Sequence, residues 1–82
     1  MNTKDILNDI VSSHSTIITA KELVKQYSNM LEKGEITETE FTELMLDIQR
    51  SVNIQQHMID LEELEKMNTA INSIITLARL IR

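Results

Sequence analysis

KGEITETEF, residues 33–41, holds the only glycine of an 82-residue chain that has no proline. Helix ends leave backbone donors and acceptors without partners, and this stretch carries the residue types that replace them. Gly34 can take the left-handed conformation that closes a last helical turn, and Lys33 puts positive charge near the negative end of the dipole. Just beyond, Thr37 suits an N-cap. Its hydroxyl can accept from the amide of Glu40 while the Glu40 carboxylate reaches back, which is a capping box. Ile36 and Phe41 flank the cap as a hydrophobic staple, and Glu38 and Glu40 complement the positive dipole end. These signals predict one tight corner between two helices and account for the local acids as helix starters.

Outward from the corner, composition supports an all-α chain. It is rich in Ile, Leu, Met, Glu, Lys and Asn, and only 2% of its residues are aromatic. With no cysteine there is neither a disulfide framework nor a thiolate metal site. The amino-terminal MNTKDILNDIVSSHS lacks the apolar core of a signal peptide, so a cytoplasmic location is expected. The length suits a single helical domain over 1–82, and long helices in so short a chain bury little surface alone. Association would supply the missing core.

The first helix is expected to run from about residue 3 to 33. Thr3, Ile10, Ile17, Val24 and Leu31 form one seven-residue row, and Ile6, Ser13, Ala20 and Tyr27 a second, as along a coiled-coil edge. The row weakens at SSHST, residues 12–16, whose hydroxyls compete for backbone bonds. Ile18, Thr19, Glu22 and Leu23 repeat the staple and box, so a helix could restart at Thr19. After a turn at 34–37 the second helix is expected over about 38–81. Its stripe follows Phe41, Met45, Ile48, Val52 and Ile59, then resumes in another phase as Leu64, Met67, Ile71, Ile74, Ala78 and Ile81. The slip coincides with IDLEEL, residues 59–64, which offers a staple from Ile59 to Leu64 and a box from Asp60 to Glu63. Either one long helix carries its apolar face around, or the chain is kinked or broken near 56–61. With no glycine or proline there, the long helix is the expectation, at roughly 60 Å if unbroken. The fold expected is an antiparallel, coiled-coil-like helical hairpin. Four of the five methionines, Met30, Met45, Met58 and Met67, are expected to fill gaps in a core, though soft thioethers also suit adaptable binding surfaces.

The net charge is −5, and acids concentrate between residues 32 and 65. Such a block repels nucleic-acid phosphates, and the few lysines form no stripe with stacking aromatics, so nucleic-acid binding is not expected. Catalysis has little to work with. His14 between Ser13 and Ser15 shares no helical face with them, and a triad is a matter of spatial geometry. His57 and Asp60 could share a face, but no further metal ligands accompany them. One glycine cannot build a phosphate loop, so no enzyme, metal or cofactor is expected. The carboxy-terminal MNTAINSIITLARLI is too short to span a bilayer and is interrupted by Asn68, Thr69, Asn72, Ser73 and Thr76, so a core or subunit-contact helix is expected rather than a membrane span.

Residues 31–48, LEKGEITETEFTELMLDI, resemble the short helix-turn-helix segment of SHOCT-type domains. Leu31, Gly34, Ile36, Thr37, Glu40 and Phe41 meet that pattern, while Glu43 and Asp47 replace the basic residues usual after the phenylalanine. The composition also resembles that of small accessory proteins of phages and low-GC bacteria. From the residues themselves, the expected function is a non-enzymatic protein-protein interaction module. It would be a homo-oligomer, self-associating through Ile10, Ile17 and Val24 and through Leu64, Ile71, Ile74 and Ile81, and acting as an assembly or regulatory adaptor. The alternative is a small acidic inhibitor or nucleic-acid mimic, phage-encoded and directed at a host protein through Glu38, Glu40, Glu43 and Asp47.

Overall fold

The computed structural model describes residues 14–80. Over that span the chain is all-helical, with α1 at Ser15–Glu32, α2 at Glu38–Ile54 and α3 at Leu61–Leu80. The middle helix α2 packs against both α1 and α3.

The corner between α1 and α2 forms as its residues dictate. Gly34 has φ +75°. The Gly34 amide donates to the Leu31 carbonyl at 3.1 Å and the Glu35 amide to the Met30 carbonyl at 2.9 Å, the paired bonds of a Schellman exit. The box at Thr37 is complete. Its amide donates to Glu40 Oε1 at 3.0 Å, and the Glu40 amide donates to Thr37 Oγ1 at 3.1 Å. Phe41 is buried and Ile36 packs against the same core.

A continuous helix over 38–81 does not form. α2 ends at Ile54, the chain turns through residues 55–60, and α3 starts at Leu61. The exit needs no glycine. The amides of Gln55, Gln56 and Met58 each donate three residues back, to Val52, Asn53 and Gln55, in tight 3₁₀-like steps. Gln55 keeps φ −91° and ψ 13°, within reach of any residue. Asp60 then caps α3, its Oδ1 accepting from the Glu62 amide at 2.9 Å while its carbonyl accepts from Leu64. Ile59 and Leu64 are both buried, as a staple requires.

Burial explains the break. The two stripes of 38–80 lie out of phase, and only a chain that doubles back presents both to one core. Phe41, Met45, Ile48 and Val52 of α2 are buried with Leu64, Met67, Ile71, Ile74 and Ala78 of α3, joined by Ala70 and Ile75. The described part of the chain measures 36 × 22 × 17 Å, with no room for a rod of roughly 60 Å. Its radius of gyration, 12.1 Å, is close to the roughly 11–12 Å of a compact chain of that length. Cross-contacts order α2 against α3 in opposite directions. Arg79 reaches Glu38 at 3.8 Å, Gln49 Nε2 donates to Asn72 Oδ1 at 3.3 Å, and Asn68 Nδ2 donates to Asn53 Oδ1 at 3.0 Å.

α1 also departs from expectation. A helix does not run through His14, which is extended and caps α1 by accepting at Nδ1 from the Thr16 amide, 3.2 Å away. The start is therefore Ser15, four residues before Thr19; the part of the expected helix before His14 lies outside the described residues. Ile17, Ala20, Val24 and Ser28 are the buried row, while Leu31 and Tyr27 are only half-buried. A straight helix drifts about 20° per heptad, which carries the row from 24 to 28 rather than to 31. Ser28 tolerates burial because its hydroxyl donates to the Val24 carbonyl at 2.7 Å.

Candidate interaction site

Five residues expected to form a self-association seam, Ile17, Val24, Leu64, Ile71 and Ile74, are inside the chain's own core; Ile71 and Ile74 are 0% exposed. Ile10 and Ile81 lie outside the described residues. The reason is the third helix, which folds back over apolar area that a two-helix hairpin would leave in water. The seam is thus the interior of one subunit rather than its surface.

The apolar side chains that remain outside are others. Leu80 is exposed at the end of α3, and Ile18 and Leu46 are less so; Ile54, Met58 and Leu61, 69%, 63% and 67% exposed, are the three that fall together, at the corner where α2 gives way to α3. Of the methionines, Met45 and Met67 fill the core as expected, Met30 is half-buried, and Met58 stands out at this corner. Gln56, His57, Asp60 and Glu62 are exposed around it. The signal was present in the sequence: Ile54 lies thirteen residues after Phe41, on the back of α2 relative to its buried stripe.

The acidic positions are spread over different tasks. Glu38 pairs with Arg79 across α2 and α3, Glu40 completes the capping box, and Asp47 pairs with Arg50 at 3.2 Å along α2. Glu43 is exposed on α2. Three of the four acids therefore take part in the fold's own bonding.

Between α1 and α2 runs an open groove of about 480 Å³. Ala20, Leu23, Tyr27, Leu44, Ile48 and Val52 supply its apolar floor, with Thr19, Ser51 and Gln55 among its polar edges. Among the described residues its one charged lining residue is Asp47. Among the described residues no group of acids and histidines is placed to hold a metal ion, and no helix is long and apolar enough to cross a membrane.

Comparison with protein-family models, curated proteins and solved structures finds no match to this chain. The likeness of residues 31–48 to SHOCT-type segments accordingly rests on those residues alone.

Proposed function

We propose that this chain is a non-enzymatic protein-protein interaction module that self-associates and works as an assembly or regulatory adaptor. In this reading α1 and α2 form an antiparallel hairpin, α3 closes its core, and the contact surface is the α2–α3 corner. One observation carries the reading: Ile54, Met58 and Leu61 are each about two-thirds exposed within eight consecutive residues. Single exposed apolar residues are ordinary on any protein surface, whereas a cluster rimmed by polar groups marks a contact site. A patch at a corner can meet its own copy about a two-fold axis, and a stable contact needs about 800 Å² per partner. The three side chains would be its centre, with Gln56, His57 and Glu62 at the rim.

The test is sedimentation velocity on the full chain across a concentration series. Dimer formation lost in Met58→Glu and in Ile54→Lys, with helicity unchanged by circular dichroism, is the expected outcome. A parent chain that stays monomeric up to about 1 mM, the scale of the weakest specific contacts, would refute self-association.

A further inference from the structure

We propose that the groove between α1 and α2 is a second docking site, and that its occupant is a cationic amphipathic helix of a partner protein. Helix-in-groove recognition needs an apolar trough wide enough for large side chains at helical spacing. Leu23 and Tyr27 on α1 and Leu44 on α2 are half-buried along such a trough, above the buried Ile48 and Val52, and about 480 Å³ is within the range of formed binding clefts. The sign of the occupant follows from the charges around it. Among the described residues Asp47 is the only charged one lining the groove, and by helical spacing Glu40 shares its flank of α2. Lys21 and Lys25 fall on the opposite flank of α1, so no lysine of that helix reaches the groove edge to repel a cation. The Asp47–Arg50 pair is exposed on both sides, and a pair of that kind is readily exchanged for a partner's lysine or arginine. The chain as a whole is at −5, which adds attraction at a distance. This site adjoins the corner at Gln55 but includes none of Ile54, Met58 and Leu61, and it does not depend on self-association.

The groove contains its own reporter. Tyr27 lines it and is the only tyrosine in a chain without tryptophan. The probes are three synthetic helical peptides of one length, with leucine and lysine, leucine and glutamate, or serine and lysine on the same pattern, titrated into the full chain while Tyr27 emission is followed. The leucine-lysine peptide should bind and change Tyr27 emission, and the other two should not. Asp47→Lys and Ser51→Arg should each weaken binding about tenfold or more, as expected for charge placed at a docking edge. Glu65→Lys, the same charge change elsewhere on the surface, should weaken it much less. Equal losses in Asp47→Lys and Glu65→Lys would reduce the effect to net charge and overturn the site. Equal binding of the serine-lysine peptide would do the same. If Tyr27 in the free chain is already shielded from acrylamide, the groove is filled, and the proposal fails. Shielding that vanishes on dilution would assign it to a second copy; shielding that persists would assign it to the chain's own residues.

Discussion

Shortening Ile74 decides whether the α3 stripe is an interior or an interface. Its side chain is 0% exposed in a single chain. Removing one buried methylene typically costs about 0.5–1.5 kcal/mol and truncation to alanine about 2–5 kcal/mol, the larger figure including the cavity left behind. The whole stability of an 82-residue domain is about 4–12 kcal/mol at the usual per-residue value. With a urea dependence of about 1 kcal/mol per molar for a small domain, Ile74→Val should lower the unfolding midpoint by about 1 M and Ile74→Ala by about 3 M. Ile74→Asp, which buries a charge with no partner, should not fold at all. Circular dichroism at two protein concentrations tenfold apart reads these losses, and in an interior they do not depend on concentration. The reasoning is refuted if Ile74→Ala unfolds within about 0.3 M of the parent, inside the usual extrapolation error, while the oligomer dissociates. That result would return Ile74 to an intersubunit seam.

Two further substitutions test the corners. Gly34→Ala should cost about 1–2 kcal/mol in the same urea assay, purely from the left-handed backbone, because an added Cβ at φ +75° meets no atom within 4 Å; Gly34→Asn should lose less. Asp60→Ala should cost about 1 kcal/mol by removing the acceptor for the Glu62 amide, with Asp60→Ser recovering most of it.

The first corner was legible because every bond in it is local. Gly34, Thr37 and Glu40 satisfy one another's backbone groups within a few residues, and no distant part of the chain is needed to choose that geometry. The buried stripes of α2 and α3 were legible for a similar reason, since Phe41, Met45, Ile48 and Val52 and then Leu64, Met67, Ile71, Ile74 and Ala78 repeat at helical spacing. The phase slip near Ile59 was also visible, but its resolution was not. A turn made by Gln55, Gln56 and Met58 without any positive φ carries no glycine or proline mark, and what selects it over a continued helix is the burial gained when α3 returns to α2. That gain is a long-range quantity. The same omission placed Ile71 and Ile74 on a surface, put Met58 in the core and left Ile54 unremarked. The groove, made by two helices that only the folded chain sets side by side, has no linear signature beyond the helical spacing of Leu23, Tyr27, Leu44 and Ile48.

The glycine-free second corner has a kinetic consequence. The bend at Gly34 can arise in an otherwise unfolded chain, because its closing bonds span at most five residues. The bend after Ile54 is closed by bonds just as local, from Gln55, Gln56 and Met58, but it has no left-handed residue to end the helix there, so its persistence depends on α3 remaining docked. Thermal opening should therefore release α3 first and leave α1 and α2 as the slower-exchanging pair, an asymmetry that amide hydrogen exchange reads residue by residue.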